Sequence, residues 1–371
     1  VNNDISPKRG SAVDISGAAS NSGGRAVVVI ALLAAAAAVL FSADLALGSV
    51  RIPLSAVLDA LLGRDTDAAW TTIIRVFRLP KALTALSGGA ALAVSGLILQ
   101  TVFRNPLAGP DSLGIGAGAS AGVAIVVLAA GSAGSSALFE GVSTLGYAAI
   151  AAAAGLGAFF VLLIILALSR RIENIITVLI VGLLVGYLAG SLVSVLVFLG
   201  SPQKAKLYLG WTYGSFSSVT VSQLPVMLAA VITGLALTVR SSKSLNALLL
   251  GERFAEGLGI RVRTARTRVL IAAALLAGAV TAFCGPIAFL GIAAPQAARR
   301  IFRSSDHAVL IPGSAITGSA FALAADIASQ APGGGVILPV NPLLALIGAP
   351  IVLSLFLRGG SGARPREESL P

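Results

Sequence analysis

The sequence predicts an all-α polytopic membrane protein with about ten transmembrane helices, and three observations carry that prediction. Apolar stretches, each long enough to cross a bilayer, fill the chain from Ala26 to Leu357. Only 11% of the 371 residues are charged while 56% are hydrophobic, and the mean hydropathy is +0.95. A single soluble core stops growing near about 250–300 residues, so this much apolar surface must face lipid. Hydrocarbon leaves the backbone a choice of helix or closed barrel. Barrel strands alternate apolar and polar residues, and runs such as Val161–Leu168 do not.

Taken in order, the first 24 residues are rich in Ser, Gly and Asn and read as a disordered cytoplasmic tail. A ten-helix membrane domain is expected over 25–358, and 359–371 reads as a second cytoplasmic tail. The expected spans are 26–46, 79–102, 112–132, 145–169, 175–200, 221–240, 268–284, 287–302, 309–330 and 337–357. The first has no convincing cleavage site and more spans follow it, so it reads as an uncleaved helix. The eighth is the weakest, being short and amphipathic at its end. Breakers sit close to helix ends at Asn105-Pro106, Gly109-Pro110, Gly285-Pro286, Pro295, Pro312 and Gly348-Ala349-Pro350. Broken helices are tolerated at membrane depth where they are packed or line a cavity.

An even number of spans puts both termini on one side, and the positive charges choose the side. With the N-terminus inside, all but seven of the 26 basic residues are cytoplasmic. The seven are Arg51, Arg64, Arg75, Arg78, Lys81, Lys204 and Lys206. That bias places both termini in the cytoplasm. It also accounts for the net charge of +11 without invoking nucleic acid.

Composition excludes several chemistries. One cysteine, Cys284, allows no internal disulfide, and one histidine, His307, gives no metal cluster. No G-x-x-x-x-G-K-[ST] is present, so the chain is not expected to hydrolyse ATP, and no cofactor is expected. Gly114, Gly116 and Gly118 form a GxGxG with no strand before it, which reads as close helix packing. His307 with Asp306 reads as a helix cap and loop contact. Asp326 lies within the ninth span, where an ionisable residue is expensive. It reads either as a proton or sodium relay or as a structural group near the outer helix end, bonded to backbone or to Ser329.

Several segments together resemble one family. Arg78-Leu79-Pro80-Lys81 heads the second span and GGAALAVSGLILQTVFRNPLAGPDSLGIGAGASAG follows at 88–122. LLLGERFAEGLGI at 248–260, GPIAFLGIAAP at 285–295, Ser305-Asp306-His307, Ala325-Asp326 and LPVNPLLALIGAPIVLSLFLR at 338–358 complete the set. In this order and spacing they resemble the FecCD-type permeases of ABC importers, which take up iron-siderophores, haem or vitamin B12. The resemblance implies an ABC type II importer fold with ten helices per subunit. It also implies a dimer with an identical or a second permease, two cytoplasmic ATP-binding subunits and an extracytoplasmic substrate-binding protein. The chain departs from the common pattern at Gln296 (usually His), Ala308 (usually Arg) and Gln330, where some relatives carry an Arg used in docking the binding protein.

The resemblance assigns roles to residues with simpler readings. Arg78 and Lys81 would meet acidic side chains of the binding protein; otherwise they anchor the start of a helix at the interface. Leu250, Phe254 and Leu258 recur at i, i+4, i+8, which makes one apolar face on a short helix that Gly259 stops. Such a helix in a basic loop lies on anionic lipid or docks on a partner. The resemblance makes the partner the ATPase and the segment Gly251, Glu252, Arg253, Ala255, Leu258, Gly259 the coupling helix. Asn105, Pro106, Asn174 and Thr177 are candidates for the translocation pathway or its cytoplasmic gate; Asn174 reads equally as a helix start. The resulting expectation is a permease subunit that carries an iron chelate, a siderophore first, while partners hydrolyse ATP. The competing class is an ion-coupled secondary transporter, which needs mid-membrane carboxylates and preferably an inverted repeat.

Overall fold

A computed structural model of the chain describes residues 15–48, 50–64, 67–129, 144–169, 171–172, 174–331 and 337–359. Every expected span is helical there. The helices are α1 (Ile15–Ala46), α2 (Leu54–Leu62), α3 (Ala68–Val102), α4 (Ile115–Leu128), α5 (Thr144–Ser169), α6 (Ile175–Leu199) and α7 (Pro202–Thr212). They continue with α8 (Leu224–Arg240), α9 (Ser242–Leu250), α10 (Glu252–Gly257), α11 (Val262–Cys284), α12 (Leu290–Phe302), α13 (His307–Ser329) and α14 (Val340–Gly359). α1 begins at Ile15, inside the expected tail; residues 1–14 and 360–371 lie outside the described residues.

Six of these helices are long and apolar enough to cross a bilayer alone, and α8 with α9 makes a seventh bent by 57°. The apolar helices α4 and the Val340–Pro350 part of α14 are shorter, and α12 has 13 residues. At Gly109-Pro110 and Gly285-Pro286 the backbone is packed against other helices, which satisfies the condition for irregular backbone in lipid. A Cβ on Gly291 of α12, for example, would lie 2.5 Å from Pro110 Cδ.

α3 is the centre of the bundle. Nearly all of its residues from Pro80 to Val102 are buried, and α8, α11, α12 and α13 pack around it. Its glycines set how close they come. A Cβ on Gly89 would lie 2.3 Å from the Gly318 carbonyl of α13, and one on Gly96 only 1.6 Å from the Gly291 carbonyl. Lipid-embedded helices gain little from hydrophobic exclusion, so backbone-to-backbone approach supplies dispersion contact instead. Hydroxyls add cross-links: Ser95 donates to the Ala273 carbonyl (2.8 Å) and Ser319 to the Leu86 carbonyl (2.7 Å).

Candidate functional site

At the end of the bundle that the charge bias assigns to the outside, Arg78 and Lys81 are not presented to solvent as the sequence suggests. They are only 6% and 9% exposed. Arg78 lies in a π turn, Ile73–Arg78, within α3. Its guanidinium turns back onto the end of α1, donating to the carbonyls of Leu45 (2.7 Å), Ala46 (2.9 Å) and Val50. These carbonyls lack helical partners, and a cation there also suits the helix dipole. Lys81 Nζ sits between Asp44 Oδ1 of α1 at 2.9 Å and Asp326 Oδ2 of α13 at 2.5 Å. Gln330 Nε2 donates to Asp326 Oδ2 at 3.1 Å, with Asp44 Oδ1 at 3.4 Å.

Both expected docking cations are therefore held by acceptors of their own chain. Asp326 Oδ2 is engaged by Lys81 and Gln330, and the Ser329 hydroxyl donates to the Asp326 main-chain carbonyl at 2.6 Å. Asp44, the third member of this cluster, went unnoticed in the sequence, where its only signal is an acid near the end of an apolar run. The cations exposed at this end are Arg51, Arg64, Arg75 and Lys206.

At the opposite end, which the charge bias assigns to the cytoplasm, α9 and α10 form an arm between α8 and α11. Gly251 separates them at φ 131°, a conformation open to glycine alone. Ala255 is fully buried against the arm's own root with Leu248, Val262 and Ala265. Leu250, Phe254 and Leu258 point the other way and are 66%, 50% and 61% exposed. The helix stops as expected. Gly259 at φ 77° donates to the Glu256 carbonyl (2.8 Å) and Ile260 to the Ala255 carbonyl (3.0 Å), a Schellman closure. Glu252 pairs with Arg266 of α11, and Arg104 reaches the Leu248 carbonyl at 3.4 Å. Arg253 is exposed. Asp306 caps α13 through the Ala308 N–H (2.9 Å) and accepts from Asn246 Nδ2 (2.7 Å). These two bonds, the Asn246 amide first, hold its carboxyl below the usual carboxylate range.

Each pathway candidate with a side-chain or carbonyl bond has its own partner. Asn105 folds an Asx turn onto the Leu107 N–H (2.9 Å), and Gln296 donates to the Pro106 carbonyl (3.2 Å) and to Gln100 Oε1 (2.9 Å). Gln296 thus ties α12 to the turn. Asn174 caps α6 through the Ile176 N–H (2.9 Å), the helix-start reading, and Thr177 is exposed beside it. α6, like α1, is little covered by the rest of the chain. Ile176, Ile180, Leu183, Leu184, Tyr187, Leu188, Val195 and Phe198 are all exposed on it, a surface too apolar to face water alone.

The sequence profile of the FecCD transport family matches residues 32–358. The chain belongs to the FecCD transport family. It is 34% identical over 317 residues to the hemin transport system permease protein HmuU of Yersinia pestis, covering 85% of this chain and 92% of that one. It is 32% identical over 320 residues to the iron(3+)-hydroxamate import system permease protein FhuG of Bacillus subtilis (86% and 94% covered). It is 33% identical over 320 residues to the vitamin B12 import system permease protein BtuC of Escherichia coli (84% and 94% covered). Among solved structures, a metal-chelate type ABC transporter in an inward-facing conformation superimposes with a TM-score of 0.76 at 25% identity. That match covers 89% of this chain and 99% of the other. The resemblance read from the ordered motifs is therefore to the right family, the FecCD-type permeases of ABC importers.

Proposed function

We propose that this chain is the membrane subunit of an ABC importer that passes an iron chelate, a siderophore before haem or cobalamin, into a bacterial cytoplasm. It works as a pair of permeases, of identical or different chains, with two ATP-binding subunits inside and a substrate-binding protein outside. Both termini face the cytoplasm. ATP is hydrolysed on the partners, and no cofactor or nucleic acid takes part.

The observation that carries this reading is the arm. Its apolar stripe Leu250, Phe254, Leu258 stands exposed in a water-facing loop, while Ala255 and the Glu252–Arg266 pair fix its other side to the membrane helices. A stripe of that kind fits a groove on a partner, and a rigid root lets a push on the stripe move the bundle. The second copy and the pathway fall to the exposed face of α6, with Thr177 near its cytoplasmic start. Docking of the binding protein falls to the outer corner whose base is Arg78 and Lys81 and whose rim carries Arg51 and Arg75. Acidic lobes would be steered there by charge. The ion-coupled alternative loses its relay, because Asp326 is engaged by Lys81.

The test is uptake into proteoliposomes holding this chain with its cognate ATPase and binding protein. Ferric siderophore should enter only with internal-face ATP and the binding protein, and haem and cobalamin are the comparison substrates. Transport driven by an ion gradient without ATP would overturn the reading.

A further inference from the structure

A second polar assembly joins the arm to the membrane helices, apart from the Glu252–Arg266 pair. His307 opens α13 and is completely buried. Its ring spans two other elements. Nδ1 lies 2.7 Å from Asn246 Oδ1 on α9, and Nε2 lies 2.8 Å from Thr101 Oγ1 at the cytoplasmic end of α3. The main-chain N–H of His307 donates to the same Asn246 oxygen at 2.9 Å. Arg299 of α12 approaches Thr101 Oγ1 at 3.4 Å.

The partners fix the orientation of each group. A main-chain N–H can only donate and a carboxylate can only accept. Asn246 must therefore turn its oxygen to His307 and its amide nitrogen to Asp306, so ring Nδ1 carries a proton. The Thr101 hydroxyl then has one proton and two acceptors in reach, His307 Nε2 and the Leu97 carbonyl, each at 2.8 Å.

We propose that His307, oriented by Asn246, is the positioning residue through which displacement of the arm reaches the central helix α3. The proposal rests on the arm being the ATPase contact. An imidazole is a rigid spacer with nitrogens on two sides, unlike a long flexible side chain. Hydrogen bonds at 2.7–2.8 Å weaken steeply when stretched or bent, so a shift of α9 by even about 1 Å must carry the ring along or break the contact. Burial removes water as a substitute partner, which makes breaking costly. The ring ends on α3, the one helix packed on most of the others. The arm's polar attachments thus have different destinations: Glu252–Arg266 leads to α11, Arg104–Leu248 to the turn after α3, and Asn246–His307–Thr101 to α3 and α13.

The test uses the complete transporter in proteoliposomes. Asn246→Asp puts a carboxylate against Asp306 across the present 2.7 Å bond. Combining it with Asp306→Asn removes that repulsion and restores the bond between positions 246 and 306, at the expense of the cap on Ala308, because both bonds use the one oxygen Asp306 Oδ1. The single variant should keep its ATPase subunit and hydrolyse ATP, while uptake per ATP falls about tenfold. The double variant should recover to within about twofold of the parent. Unchanged uptake per ATP in the single variant overturns the proposal. So does a double variant that stays uncoupled, or a parallel loss of hydrolysis and uptake tracking folded protein. Phe254→Asp is the control for the arm itself. If it leaves the ATPase subunit bound and coupled, the contact reading falls and this proposal with it, whereas failure confined to the Asn246 variants removes the spacer role alone.

Discussion

Replacing Lys81 by Met is the sharpest probe of the Asp44–Lys81–Asp326 cluster. Its ammonium separates two carboxylate oxygens at 2.9 and 2.5 Å, so those oxygens are no more than about 5.4 Å apart. Without the ammonium, two charges at that distance repel by roughly 3 kcal/mol at an effective dielectric near 20. Removing one partner of a buried ionic group typically costs about 3–5 kcal/mol, and both carboxylates here are almost fully buried. The perturbation therefore equals a large part of an ordinary protein's stability. Thermal unfolding of the purified chain in lipid nanodiscs should show Lys81→Met melting several degrees below the parent. The triple variant Lys81→Met, Asp44→Asn, Asp326→Asn removes all three charges, and it should recover most of the loss because replacing a whole buried ionic set is often nearly neutral. A Lys81→Met protein as stable as the parent would refute the reasoning, as would a triple variant less stable than the single one.

Other expectations follow from the same geometry. Gly89→Ala places a methyl 2.3 Å from the Gly318 carbonyl, so it should destabilise by about 1–3 kcal/mol and lower the folded yield on size-exclusion chromatography. Phe254→Asp replaces a half-exposed apolar contact with a charge and should weaken binding of the ATPase subunit at least about tenfold in a pull-down, without changing the melting point of the isolated chain. Asp306, held below the ordinary carboxylate range by Asn246 and the Ala308 N–H, contributes fully above about pH 4. That contribution fades as pH falls through its folded value. The stability gap between the parent and Asp306→Asn should therefore be constant near neutrality and shrink only in stronger acid, measured as unfolding midpoints against pH.

Much of this architecture was legible because lipid imposes a simple rule on sequence. The ten helices follow from apolar runs, and the breakers at Gly109-Pro110 and Gly285-Pro286 do mark where helices begin late. The short helix of the arm was legible for a local reason: Leu250, Phe254 and Leu258 share a face at helical spacing, and Gly259 stops the helix. The direction of Arg78 and Lys81 was not legible. Charge bias reports the side of the membrane and says nothing about the angle around a helix. The π turn at Ile73–Arg78 also shifts the helical phase, so the facing of Arg78 cannot be counted from the residues before it. Their partners are remote: Asp44 stands 37 residues before Lys81, and Asp326 lies near the far end of the chain. The knot around His307 was equally hidden, since Thr101 and Asn246 are 206 and 61 residues from it.

The glycine seams have a mechanical corollary. Where main chain rests directly on main chain, as between α3 and α13 at Gly89 and Gly318 and between α3 and α12 at Gly96 and Gly291, no side chain is left to swivel and absorb a slide. Those three helices should travel as one block. Any alternation between inward and outward openings must then be taken up at the looser periphery, above all by α6, which touches its own chain along one side only.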